Sequence, residues 1–210
     1  MLEVIKNYSP DIIQFNILRV LDDEPSHGKP IKCHNLPDGL YMLSSIRENV
    51  FGVGKWFPYT RVFKREIMKQ YPFPSKRIFY EDLITLPFIL LQDFSIYFLE
   101  NPLISYRNNP KSTTRNHKPE HGKTLLDLFN TISALPKSCS RYLIRVQLAR
   151  SIVFFTLELR LRDVPLDSIR RQVRAMENKS ILSAYLSWAD ILFLRFPLMY
   201  TLLEWVRRRF

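Results

Sequence analysis

Glycine is scarce in this chain of 210 residues, with five against fourteen prolines. That ratio excludes collagen-like and repeat-fibre architectures. Cysteine is scarcer still. Cys33 and Cys139 are the whole complement and form no Cys-x-x-Cys pair, so a disulfide-stapled scaffold is excluded and a reducing cytosol is expected. Long apolar runs are missing too. The longest stretches without a charge are ten residues, Leu83–Gln92 and Ser180–Ala189, about half of what a membrane-spanning helix needs. Met1-Leu-Glu-Val-Ile-Lys6 lacks the basic-then-apolar order of a signal peptide.

What is present supports a packed core: 46% hydrophobic residues, 13% aromatic and 24% charged. Such a composition excludes disorder, and the length fits one to about one and a half domains. The formal charge is +11, unevenly placed. Residues 1–140 hold 18 Lys/Arg and 14 Asp/Glu, whereas residues 141–210 hold 13 and 6. The basic excess of the last third suits nucleic acid, anionic lipid or phosphorylated substrates as attractors.

Periodicity and punctuation divide the chain. Met1–Tyr8 reads as the end of a short helix, and Asp11–Leu18 as a buried strand. Asp22-Asp-Glu-Pro-Ser-His-Gly28 reads as an acidic hairpin or loop, with Asp22-Asp23-Glu24 solvated. Helices are expected over Leu43–Val50, Arg61–Tyr71 and Glu81–Gln92, the last with two acids in its first turn, where negative charge suits the helix dipole. Phe94–Glu100 and Leu103–Arg107 read as two strands parted by Asn101-Pro102, and Asn108–His121 as a polar, basic loop. After Pro119 the pattern turns helical: Lys123–Leu135, Arg141–Leu161, Asp167–Asn178 and Ile181–Arg209. The expected architecture is an α/β part over residues 1–119 and a helical basic extension over 120–210.

Tyr80-Glu81-Asp82 sets two adjacent carboxylates at a helix start. Neighbours on a helix do not share a face, so one can enter a cleft while the other caps or pairs. A carboxylate in a cleft can take the proton of an attacking hydroxyl, for ~10²–10⁴ in rate. The competing reading makes both acids dipole partners only. Trp56 offers an apolar ring face with an N–H, either as a sugar platform or as a core ring. Lys64-Arg65 suits a diphosphate or a solvated helix face. His117 and His121 are four apart, but Pro119 between them opposes one continuous helix, and a zinc site wants a third ligand.

Four segments in order carry a resemblance: Trp56-Phe-Pro-Tyr-Thr-Arg-Val-Phe-Lys-Arg65, Phe79-Tyr-Glu-Asp-Leu83, Leu103-Ile-Ser-Tyr-Arg107 and Ser112-Thr-Thr-Arg115. Over roughly residues 1–120 the sequence resembles the acceptor-side half of inverting glycosyltransferases of family 2, which have the GT-A fold. The resemblance implies a partial GT-A-like (Rossmann-like) sheet with flanking helices. It also implies transfer of a sugar from a nucleotide-sugar donor to a glycan or lipid-linked acceptor, in polysaccharide or cell-envelope synthesis. It makes Asp82 the general base, and assigns Trp56, Glu81, Tyr106, Arg107 and Arg115 to substrate binding, with Arg115 bearing on the leaving diphosphate. A Mn²⁺ or Mg²⁺ ion is implied for the intact family, with His117 as a candidate ligand.

The family's nucleotide-binding half ends in an Asp-x-Asp turn that would precede a segment like Met1–Leu18. Asp22-Asp23-Glu24 follows that strand and does not replace it. The expectation is therefore a truncated form with little or no activity alone, whose sheet has an uncovered edge, or one completed by a partner chain. The alternative is a non-enzymatic scaffold or peripheral membrane module using the basic tail. Arginines interleaved with Trp188, Phe193, Phe196 and Trp205 suit an anionic membrane surface or, equally, a helical bundle packed on the catalytic domain with a solvated arginine face. The expected location is the cytoplasm, with peripheral attachment to the inner membrane face. No zinc finger or aromatic RNA-binding strand is present, so nucleic acid is not expected.

Overall fold

The computed structural model describes residues 1–20, 28–75, 78–107, 118–176 and 182–209. The chain divides into two compact units, Met1–Ser112 and Thr113–Phe210. The first is mixed α/β and the second is helical among the described residues.

The first unit is organised by β1 (Ile12–Val20), a nine-residue strand buried on both faces from Ile12 to Ile17. A strand covered on both sides reads as a near-continuous apolar run, and burying each of Ile12, Phe15 and Ile17 is worth ~1.5–3 kcal/mol. β5 (Ser95–Arg107) runs parallel along one edge of β1, from Ile12↔Ile96 to Val20↔Arg107. The other edge takes β2 (Lys29–Ile31) and β4 (Arg61–Phe63), both antiparallel. β3 (Gly39–Met42) pairs with the start of β5, Ser95 to Phe98. Beyond Phe98, β5 has a strand partner only on the β1 side among the described residues.

Helices α1 (Leu2–Tyr8), α2 (Leu43–Val53), α3 (Arg65–Gln70) and α4 (Glu81–Leu90) accompany the sheet. Ser9 ends α1 in the left-handed region (φ 44°). α2 stops at Gly54 (φ 60°), a conformation glycine adopts without a Cβ penalty. α4 buries Leu86, Ile89 and Leu90.

The stretch expected as one helix from Arg61 begins as strand β4, because Arg61, Val62 and Phe63 find ladder partners in Gln14, Ile13 and Ile12. The helix starts only at Arg65. The two strands expected around Asn101-Pro102 are one strand, with register irregularities opposite Phe15, Asn16 and Ile17 absorbing the interruption.

In the second unit, α5 (Pro119–Ala134) buries Leu125, Leu128, Phe129 and Ile132, a stripe at helical spacing. α6 (Cys139–Glu158) is buried almost all round, with α7 (Leu166–Arg174), α8 (Trp188–Arg195) and α9 (Pro197–Arg209) contacting it. The last expected helix, Ile181–Arg209, is interrupted among its described residues. Ser187 and Asp190 form a reciprocal cap that starts α8 afresh, and Pro197 opens α9. Arg141 and Arg145 of α6 are buried. Nη1 of Arg141 donates to the carbonyl of Leu135, and Arg145 sits over the rings of Phe129 and Tyr142. Part of the basic excess is thus spent inside the bundle.

Candidate functional site

Two polar side chains interrupt the apolar run of β1, and both are buried: Gln14 and Asn16. Buried amides need partners, and these two grip the same loop residue. Nε2 of Gln14 donates to the carbonyl of Cys33 at 2.6 Å. Oδ1 of Asn16 accepts from the Cys33 amide at 2.7 Å, while its Nδ2 donates to the carbonyl of Glu100 at 2.8 Å. The 33–34 segment is further fixed by His34, whose ring nitrogens lie 2.8 and 2.9 Å from the carbonyls of Leu36 and Leu99.

The remaining oxygen of Gln14 accepts from Nε of Arg61 at 2.9 Å. Arg61 is 7% exposed. Its Nη1 donates to the carbonyl of Phe57 at 3.1 Å and its Nη2 to that of Lys55 at 2.7 Å. All three acceptors are neutral, and no carboxylate among the described residues forms an ion pair with it. Burial pushes this guanidinium down to about 10, against the opposing pull of Cys33 and Asp82. At neutral pH it therefore remains a cation, held in a poorly solvated setting where its field is weakly screened.

Asp82 sits in the first turn of α4. The residue before that helix, Tyr80, is held in the left-handed region (φ 65°, ψ 34°), a costly conformation for a residue with a Cβ. Burial raises the Asp82 carboxyl above its ordinary 3.8, and Glu81 adds repulsion. The amide of Leu83, donating to Oδ1 at 2.8 Å, and the charge of Arg61 act in the opposite direction. Glu81 itself is exposed, so the two neighbouring acids have different surroundings.

The rings of Phe57, Tyr59 and Tyr106 form a stack, each step 5.5 Å between centroids with planes 8° apart. This offset geometry is the favourable one for aromatic pairs. It joins the end of β5 to the 3₁₀ turn Pro58–Thr60. Burial raises the Tyr59 phenol to about 12, with Tyr106, Cys33 and Asp82 adding to the shift. Tyr59 therefore keeps its proton at neutral pH and can donate it in a hydrogen bond.

The structure thus brings Asp82 and Tyr106 into one electrostatic group with Tyr59, Arg61 and Cys33. Trp56 packs as a core ring, edge-on to Phe51 at 5.3 Å. Arg107 is exposed at the end of β5. Lys64, considered for a diphosphate, is paired with Asp11 at 2.8 Å. Arg115, His117 and the acidic run 22–24 lie outside the described residues. Among the described residues no three His, Cys, Asp or Glu side chains come together as a metal site.

Sequence reasoning missed Tyr59 and Arg61 as site residues. Arg61 lies inside the Trp56–Arg65 segment, but the expected helix drew attention to Lys64-Arg65. The available signal was Gln14 in an otherwise apolar strand, since a buried amide implies a polar neighbour.

No protein-family model matches this chain, and no curated protein does.

Proposed function

We propose that the first unit carries the acceptor side of an inverting glycosyl transfer on a GT-A-like fold. The observation that supports it best is the setting of Asp82: a partly buried carboxyl at a helix start, within the field of the buried Arg61 cation and near a phenol that keeps its proton. A general base needs an elevated affinity for protons without losing its charge at working pH. Desolvation supplies the first, and Arg61 protects the second.

In this reading the acceptor hydroxyl donates its hydrogen bond to Asp82. As its oxygen bonds to the anomeric carbon of the donor sugar, the bond from that carbon to the nucleoside diphosphate breaks on the opposite face. The hydroxyl proton passes to Asp82 and the diphosphate leaves with the bonding electrons. The Tyr59 hydroxyl contributes a donor for the acceptor. Arg61 acts through Asp82 as a positioning residue, because its guanidinium is occupied by protein acceptors.

The test is transfer of labelled hexose from a panel of uridine- and guanosine-diphosphate sugars to methyl glycosides. Asp82→Asn is expected to lower any transfer by ~10²–10⁴-fold. Transfer retained at the original rate in Asp82→Asn removes the base assignment.

A further inference from the structure

The second unit leaves an unusual amount of apolar surface in water, and it is concentrated on α8 and α9. Trp188 is 67% exposed, Leu198 75% and Leu202 60%. Ile191, Phe196, Met199, Leu203, Trp205 and Val206 are exposed as well. At 3.6 residues per turn, the exposed apolar positions of α9 cover an arc of ~160°. Tyr200, on the opposite side, is its one fully buried ring and receives a hydrogen bond from Nε of Arg150 at 3.2 Å. Contiguous exposed apolar surface on this scale marks an interaction site.

The charges around this face select the occupant. Residues 141–210 carry 13 Lys/Arg against 6 Asp/Glu. Of the two acids of α8 and α9, Asp190 is paired from within by Arg150 at 2.8 Å, and Glu204 lies 3.5 Å from Arg207. Arg195 is exposed at the end of α8, and the Arg207 side chain is 81% exposed. The face also runs into a cavity of about 540 Å³ lined by Val153, Phe193, Phe196, Leu198 and Met199; its wall carries Arg195 and Arg170, the latter 3.5 Å from the acid Asp167 that lines the same cavity. Apolar depth with cationic edges matches acyl chains beneath phosphate headgroups. A second copy of the chain would present the same positive field and be repelled.

We infer that α8 and α9 dock this protein on an anionic phospholipid bilayer, with α9 lying in the headgroup plane. The indole and phenyl rings take the interfacial level, and the leucines reach the acyl boundary. Among the described residues no helix is long and apolar enough to cross a membrane, so this attachment is to one face. It is independent of the sugar-transfer reading of the first unit.

Vesicle flotation of the full chain tests it, using phosphatidylcholine alone and phosphatidylcholine with a third of phosphatidylglycerol. Binding is expected only with the anionic vesicles, and weaker at high salt because exposed charges are screened. The double variant Leu198→Glu/Leu202→Glu is expected to bind on the order of tenfold less, or weaker still. Arg195→Glu/Arg207→Glu, which keeps the apolar face, is expected to lose at least as much, since each basic residue near anionic lipid contributes roughly fivefold in affinity. All four positions are exposed, so thermal melts of both variants should match the parent.

Failure of the folded parent to float with anionic vesicles at low salt overturns the inference. So does equal binding by the parent and both variants. A parent that sediments as a dimer, becomes monomeric in Leu198→Glu/Leu202→Glu and ignores vesicles also overturns it, in favour of self-association. Binding through an acidic protein with no affinity for vesicles counts against it equally.

Discussion

Nε of Arg61 donates to Oε1 of Gln14 at 2.9 Å, and the guanidinium finds its other described acceptors in the carbonyls of Phe57 and Lys55. Among the described residues, a buried cation is thereby held without a carboxylate partner. Removing it leaves three acceptors in the interior, each costing ~1–3 kcal/mol if unsatisfied. Arg61→Met is expected to destabilise the first unit by about 3 kcal/mol in urea unfolding. Arg61→Lys should recover little, because an ammonium cannot reproduce the planar fork. A loss below ~0.5 kcal/mol in Arg61→Met, the level of an ordinary surface change, would contradict this.

Asp11 and Asp82 should respond to pH in opposite senses. Burial tends to raise the Asp11 carboxyl, but hydrogen bonds from Lys64 and Ser95 outweigh it and hold the group below 3.8. Its oxygens accept from Lys64 Nζ at 2.8 Å and from the Ser95 amide and hydroxyl at 2.9 and 2.7 Å. The contribution is complete above the unfolded value and is lost as pH falls through the lower, folded one. Asp11→Asn is expected to cost ~1.5–3 kcal/mol at neutral pH, with the difference shrinking only once the pH drops below 3.8. A difference that stays constant down to that range would show that charge plays no part.

For Asp82 the carboxyl is raised, chiefly by burial. The folded state therefore favours the protonated form. That advantage is present below 3.8 and lost as pH rises through the higher folded value. Asp82→Asn removes the penalty of ionising in place, so its melting temperature should gain on the parent across that window and match or exceed it at neutral pH. A functional site that sacrifices some stability behaves in this way. A neutral-pH melting temperature clearly below the parent's would instead mark Asp82 as a structural cap.

In the second unit, Asp190 serves two elements. It closes the cap of α8 with Ser187 and pairs with Arg150 at 2.8 Å. Ser187→Ala removes the cap alone and should cost ~1 kcal/mol. Asp190→Ala also strands the half-buried Arg150, so its expected cost in chemical denaturation is about 3 kcal/mol. Equal costs for the two variants would mean that the ion pair contributes nothing.

Strong local signals were legible in the sequence. The apolar run from Ile12 and the paired acids at Glu81-Asp82 both mark real element starts. What escaped was decided by partners distant in sequence. Arg61–Phe63 has no strand signature of its own and becomes a strand because Ile12–Gln14 offers an open edge. Asn101-Pro102 looks like a break but is carried through by nine residues of parallel pairing. Arg141 and Arg145 are charged, yet α6 is buried almost all round and their charges turn to carbonyl and aromatic acceptors. Within the site, Asp82 and Tyr106 could be singled out from their segments. Tyr59 and Arg61 emerge only when the turn before β4 is folded onto the end of β5.

The most direct test is a carbon-13 NMR titration of the Asp82 side-chain carboxyl, with and without a panel of methyl hexosides and N-acetylhexosaminides at high concentration. The Asp82 signal is expected to titrate above 3.8, to move further up in Arg61→Met, and to shift when a glycoside that fits is added. A signal that titrates at the ordinary carboxylate value, ignores Arg61→Met and does not respond to any of the sugars would contradict the assignment of Asp82 as a base facing a sugar hydroxyl.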